Sequence, residues 1–188
     1  MAEPIQPPLP DLSGLSLADI ARLAAERRLP PVERWNPSHC GHSGMRIAAD
    51  GGWWHEGAPI VRPAMVRLFA TVLRREKDGS YVLVTPVEKL AIDVDDLPFV
   101  ATEVTSEGAG SARRLAFGTN LGDLVIARSD HPLGQEGGRP AVHVRAGLWA
   151  RIARPVFYEL AEWALAEGAD PPGLWSNGVF LPLDAAAA

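Results

Sequence analysis

The sequence has one cysteine, Cys40, so no intrachain disulfide can form. It has two lysines, Lys77 and Lys89, and a formal net charge of −5, which argues against a nucleic-acid protein driven by bulk positive charge. No apolar run approaches the roughly 18 residues of a membrane span. The opening MAEPIQPPLPDLSG lacks the basic and apolar regions of a secretory signal, so the expected location is cytoplasmic. The GxSxG elbow, the phosphate-cradling P-loop, GxGxxG and HExxH are all missing, so no reaction and no cofactor can be read from motifs. His39, Cys40 and His42 lie close together, but a zinc site needs four ligands, usually from two separated pairs. His55, His131 and His143 stand singly, and no metal site is expected. Asp93, Asp95 and Asp96 lack the glycine and spacing of a calcium loop and read as a solvated strand end.

With 188 residues, the chain can form one sizeable core or two small lobes. Residues 1–15 are proline-rich and expected to be a mobile arm. Ser16 can cap a helix whose apolar stripe is Leu17, Ile20, Leu23 and Ala24, ended by Pro30-Pro31. The segment VERWNPSHCGHSG reads as a loop, and Asp50-Gly51-Gly52 as a hairpin turn. A second helix from Pro63 has Met65, Val66, Phe69, Val72 and Leu73 on one face. Seven candidate strands then follow, at 81–85, 89–94, 99–105, 113–118, 124–128, 142–145 and 148–152. The helix after them, PVFYELAEWALAEG, has Phe157, Leu160, Ala161 and Ala164 on one face, and GVFLPL adds a short strand before an alanine tail. These divide the chain into an arm (1–15), a first lobe (16–79), a seven-stranded antiparallel lobe with its helix (80–168) and a tail (169–188). The fold class expected is α+β. Seven strands and a closing helix is the order of a pleckstrin-homology-like barrel, an order that many other folds share.

One pattern is used twice. RIAADGGWWHEGAPIVRPAMVRLF (46–69) and AVHVRAGLWARIARPVFYEL (141–160) each read strand, glycine turn, aromatic strand, Arg-Pro, helix. Duplicated lobes create a seam, and seams are favoured ligand sites. The polar candidates cluster around the central stretch 81–100. Thr85 ends a strand, and Glu88 and Lys89 follow where the chain turns. Glu88 falls on the side of Leu90 and Ile92 and would need a partner such as Arg46, Arg62 or Arg154. Asp96, Asn120 and His131 sit at turns or loop starts, where plain turn chemistry competes with function.

Four stretches occurring in order resemble the bacterial family DUF1285: CGHSGMRIAADGGWWHEGAPIVRPAMVRLF, YVLVTPVEKLAIDVDDLPFV, LAFGTNLGDLVIARSDHPL and HVRAGLWARIARPVFYELAEWA. Together they span roughly residues 35–166. The resemblance implies two lobes with duplicated motifs, the second superficially like pleckstrin-homology folds. It also implies a ligand site at the seam, with a nucleotide among the candidates, and a role in signal transduction.

The leading expectation is therefore a small-molecule binding protein. Arg46, Arg62, Arg145 and Arg154 recur in the two copies and suit a phosphate, because the guanidinium fork gives two parallel charge-assisted bonds. Trp53 or Trp54 could stack a base, and Thr85, Glu88, Lys89, Asp96, Asn120 and His131 would supply polar specificity. Two alternatives remain open. One is a protein-interaction module without a small ligand; the other is an enzyme using Glu88, Lys89 and His131 as acid–base groups. On the leading expectation, Arg62→Ala abolishes a ligand-dependent rise in melting temperature while leaving the unliganded melting temperature unchanged.

Overall fold

The computed structural model describes residues 29–183. The proline-rich arm and the helix expected from Ser16 lie outside these residues. Fourteen strands and two helices make up the described chain. β1 (His39–Ile47), β2 (Trp53–His55), β3 (Ala58–Pro59), α1 (Pro63–Thr71), β4 (Leu73–Arg75), β5 (Tyr81–Val84) and β6 (Glu88–Val94) form the first lobe. β7 (Phe99–Glu107), β8 (Arg114–Thr119), β9 (Leu124–Ile126), β10 (Leu133–Glu136), β11 (Arg139–Arg145), β12 (Leu148–Ile152) and α2 (Arg154–Glu167) form the second, with a terminal hairpin β13 (Gly173–Ser176) and β14 (Val179–Pro182). The protein is thus mostly β with two helices, rather than evenly α+β.

The two sheets have orders β3-β2-β1-β6-β5-β4 and β10-β11-β12-β7-β8-β9. Each is two antiparallel three-stranded meanders joined at the centre by one parallel ladder, β1 with β6 and β12 with β7. In both lobes the first and last strands of the six-strand unit are the two that pair in parallel. The seven-stranded, wholly antiparallel barrel expected from sequence is therefore corrected to two six-stranded mixed sheets. β5 and β6, expected to open the second lobe, belong to the first, because Tyr81–Val84 pairs with both β4 and β6.

The duplication is real but lies deeper than the repeated sequence pattern. Both copies follow strand, turn, strand, Arg-Pro, helix, yet β1–β2 opens its sheet while β11–β12 closes its own. Helix α1 lies between the two meanders of the first lobe, whereas α2 follows the last strand of the second.

Both helices carry proline in their first turn, Pro63 as the first residue of α1 and Pro155 as the second of α2, where its fixed φ fits and its missing N–H costs nothing. Helix α2 buries Val156, Leu160 and Ala164 at four-residue spacing and stops at Gly168, which adopts φ 63° in the left-handed region. Helix α1 buries Val66 and Ala70 and ends at Thr71, two residues before the end of its apolar periodicity at Leu73. Leu73–Arg75 instead pairs with β5, because β-branched Val72 and the following residues fit a pleated edge equally well. His39–His42, expected in a loop, is the start of β1 and pairs with Glu88–Ala91. The expected tail is folded too. Ser176, fully buried, accepts from Leu115 N–H at 2.9 Å and donates to the Ala127 carbonyl at 2.6 Å, fixing the hairpin to β8. A single apolar cluster runs through both lobes, from Ile47, Trp53 and Leu73 to Phe99, Phe117 and Leu160. No helix among the described residues is long and apolar enough to cross a membrane.

The crossing from one lobe to the other is held by charge. Asp96, in the short link between β6 and β7, accepts from Arg151 Nε at 2.8 Å and from Arg151 Nη2 at 2.7 Å. Arg139 Nη2 adds a third contact at 2.7 Å. Arg151 spends its remaining donors on the carbonyls of Glu136, Arg139 and Pro140. The Arg151 hydrogen bonds hold the Asp96 carboxyl below the usual carboxylate range.

Removing one partner strands a buried charge, so Asp96→Ala is expected to cost about 3–5 kcal/mol of unfolding free energy in urea denaturation. The sign with pH follows from the depressed folded-state pKa. The contribution is whole above the unfolded value of about 3.9 and disappears as pH falls from there through the folded value. The wild-type stability curve should therefore drop more steeply below about pH 4 than that of Asp96→Asn. Parallel acid limbs would contradict this assignment.

Candidate functional site

Three polar ties cross the seam between the lobes. Arg145, at the end of β11, donates from Nη2 to the Ala70 carbonyl near the C-terminus of α1 at 2.7 Å, and from Nη1 to Asp123 at 3.3 Å. Its guanidinium carbon lies 5.0 Å from the centre of the Phe99 ring. The cation thus meets the negative end of a helix, a carboxylate and an aromatic face together. Asn120 is the second tie. Its Oδ1 accepts from Val100 N–H at 3.0 Å, and its Nδ2 donates to the Gly51 carbonyl in the β1–β2 turn at 3.3 Å.

The third tie is Arg75 of β4, which sequence reading passed over inside a supposed helix. Its Nη1 reaches Glu136 of β10 at 3.5 Å and the Gly147 carbonyl at 3.3 Å. Both contacts are long for charge-assisted bonds. The guanidinium carbon lies 5.8 Å from the centre of the Tyr81 ring. Burial pushes the Tyr81 hydroxyl above its ordinary value, so it remains a neutral O–H donor at physiological pH. Arg75 Nε and Nη2 donate to no described residue.

The Ala146-Gly147 turn continues this site. Gly147 N–H donates to His143 Nε2 at 3.2 Å, while His143 Nδ1 lies 3.0 Å from the Asp130 carbonyl. A carbonyl can only accept, so this geometry puts a proton on Nδ1 and leaves Nε2 to accept from Gly147 N–H. Its ring meets Trp149 edge-on at 5.2 Å and stacks on His131 at 5.6 Å. His131 Nδ1 in turn lies 3.3 Å from the His143 carbonyl. Neither His143 nor Trp149 was singled out in the sequence, because only the β11–β12 pairing, His143 opposite Trp149, brings them together.

Of the residues expected to form the site, Arg145, Asn120, His131 and Asp96 lie in the second lobe or at the crossing. The others lie in different settings. Arg46 is exposed and paired with Asp95, whose carboxyl the Arg46 hydrogen bond lowers. Trp53 is core, 3% exposed and stacked on Phe69 at 6.4 Å, so it cannot offer a face to a base. Its indole Nε1 has no hydrogen-bond partner. Thr85 accepts the N–H groups of Val87 and Glu88, ordinary turn bonding. Lys89 stands 3.9 Å from Glu76. Glu88 is half-buried but pairs with none of the three arginines proposed for it, and Arg62 and Arg154 are exposed at their helix starts with no partner among the described residues. No hydrogen bond or ion pair among the described residues joins His131 to Glu88 or Lys89. Asp93, Asp95 and Asp96 turn to His42, Arg46 and Arg151 respectively, and no metal-holding group occurs among the described residues.

These features define a class: a two-lobed β protein of tandem six-stranded units, with a polar seam between them. Within that class the chain belongs to the DUF1285 family. Residues 30–97 match "Domain of unknown function (DUF1285), N-terminal domain", and residues 98–183 match "Protein of unknown function (DUF1285), C-terminal domain". The boundary falls directly after Leu97, one residue past Asp96. A DUF1285 family protein from Silicibacter pomeroyi DSS-3 is 42% identical with a TM-score of 0.72, over 87% of this chain and 93% of that one. A second, from Shewanella baltica OS155, is 24% identical with a TM-score of 0.52, over 64% and 91%, and supports the fold alone. No curated protein matches.

Gly51 tests the Asn120 tie. Its φ is 87°, and an added Cβ would sit 2.4 Å from Asn120 Nδ2. Gly57 has a similar φ of 82° with nothing within 4 Å. Gly57→Ala should therefore lose only the backbone cost, about 1–2 kcal/mol. Gly51→Ala should lose clearly more, and Asn120→Ala in the same background should recover part of the excess. Equal losses in thermal unfolding would show that the tie does not constrain the turn.

Proposed function

We propose that the protein binds a small anionic molecule, carrying a phosphate or carboxylate, at the seam beside Arg75. The observation carrying this reading is the uncommitted fork of Arg75. It is a half-buried guanidinium between the lobes, with two nitrogens unused and its one engaged nitrogen in long contacts only. By contrast, every nitrogen of Arg151 is consumed. An anion placed there would gain a bidentate bond at low desolvation cost, with the Tyr81 hydroxyl as a neutral donor. The His143–Trp149 pair on the far side of Gly147 offers an apolar wall. A nucleotide satisfies this arrangement if its phosphate meets Arg75 and its base meets that wall. Arg145 and Asn120 hold the lobes at the required distance rather than touching the ligand.

A role in signal transduction follows if occupancy changes how the lobes meet. The likeness of the second lobe to a pleckstrin-homology barrel and a cytoplasmic location belong to the same proposal. A panel of nucleoside mono-, di- and triphosphates with inorganic phosphate, screened by thermal shift, tests it. At a hundredfold excess over Kd, one ligand should add about 2.7 kcal/mol. The shift should grow with concentration and vanish in Arg75→Gln. No shift at millimolar ligand would overturn the reading, as would a shift that survives Arg75→Gln but vanishes in Arg62→Ala.

A further inference from the structure

The two helices present outer faces of opposite charge. Helix α1 turns Val66 and Ala70 inward. On its outer side Ala64, Leu68 and Thr71 follow one another at spacings of four and three, with Met65 beside them. Met65 is 40% exposed and Leu68 63%. The charges that border this face are Arg62, at the N-cap, and Arg67, and α1 has no acidic residue. Arg62 has no partner among the described residues, and Arg67 reaches only the Pro63 carbonyl of its own helix, from Nε at 3.4 Å.

Helix α2 turns Val156, Leu160 and Ala164 inward. Its outer side carries Tyr158, Glu162 and Leu165 at spacings of four and three, with Tyr158 58% exposed and Leu165 73%. Glu162 lies between the two, and Glu159 follows Tyr158. Both glutamates are exposed, and neither forms an ion pair or hydrogen bond among the described residues. Glu167, by contrast, is held by Arg113, and the one cation of α2 is Arg154 at its first residue. Met65, Leu68, Tyr158 and Leu165 are four of the eight large apolar side chains exposed among the described residues, so that exposure is concentrated on two helix faces rather than scattered.

Apolar exposure marks the faces as uncovered, and charge selects what covers them. Setting α1 on α1 brings arginine to arginine, and α2 on α2 brings glutamate to glutamate. Only α1 on α2 puts Arg62 and Arg67 against Glu159 and Glu162 while Met65 and Leu68 meet Tyr158 and Leu165. Both faces are exposed in the single chain, so the meeting is between two copies. The nine residues of α1 span about 14 Å, so one such contact falls short of the roughly 800 Å² per partner of a stable interface. Made twice about a two-fold axis, the contact doubles in area and leaves neither face uncovered.

We infer that the protein forms a two-fold dimer in which α1 of each copy packs against α2 of the other. The inference does not rest on anion binding beside Arg75.

Sedimentation equilibrium of the full chain from about 1 to 100 µM tests it, a range that brackets the micromolar Kd of a small interface. The wild type should pass from monomer to dimer across that range. Arg62→Glu with Arg67→Glu should stay monomeric, and so should Glu159→Arg with Glu162→Arg. All four substitutions combined reverse both faces and should dimerise as the wild type does. Leu68→Ser and Leu165→Ser replace exposed side chains, so the core stays intact, and each should weaken the dimer at least about tenfold. A wild type that stays monomeric would overturn the inference, as would a dimer that survives either charge reversal or one that the combined variant does not restore. If a reversal unfolds the chain, as circular dichroism would show, the serine variants decide: dimerisation unchanged in both would overturn it.

Discussion

The Asp96–Arg151 pair is the constraint on which the architecture depends. A chain that finishes one six-stranded sheet at Val94 and starts another at Phe99 has four residues in which to change direction. The Asp96 side chain fixes that change by reaching into the centre of the second sheet. There it meets a guanidinium that also gathers three carbonyls of the β10–β11 hairpin. One ion pair therefore ties the crossing, the central strand β12 and the outer edge of the second sheet together. A buried pair of this kind is weak evidence for net stability, since its desolvation offsets much of its attraction. Its value here is geometric: it leaves the second lobe one way to sit against the first.

The other arginines of the seam differ in how fully they are used, and that difference separates structure from candidate function. Arg145 is matched on three sides by a helix end, a carboxylate and a ring. Arg75 is half-satisfied at the same junction. Evenly paired seams hold lobes together, and an under-used guanidinium inside such a seam is where an anion gains most.

Much of the fold was legible because strands and helices announce themselves by period. The strand at 99–105 and the two helix starts at proline stand within a few residues of where alternation and turn chemistry put them. What sequence could not give was pairing. The parallel ladders join strands from opposite ends of each unit, and no local pattern encodes that. Leu73–Arg75 was hidden because its apolar residues continue a helical face. Leu133–Glu136 was hidden in a stretch of glycine, glutamine and proline that does not favour strands. The candidate site was less legible for the same reason. His131, Asn120 and Arg145 were found as polar residues near turns. Arg75, His143 and Trp149 become neighbours only through sheet register. Trp53 shows the reverse error: an aromatic next to a glycine turn looked available, yet the pleat turns it inward and Trp54 outward.

The central parallel ladders also set an order of assembly. Each sheet is sealed between its first and last strands, so neither can close until its whole unit has been made. The first lobe can seal once β6 has left the ribosome. The second must hold β7 and β8 as an open meander, with one flank of β7 unpaired, until β12 arrives. An exposed strand flank is a hazard during that interval. β7 itself carries Glu103 and Glu107 and no basic residue, so two nascent copies of this strand repel one another along the half that lies beyond the β12 ladder.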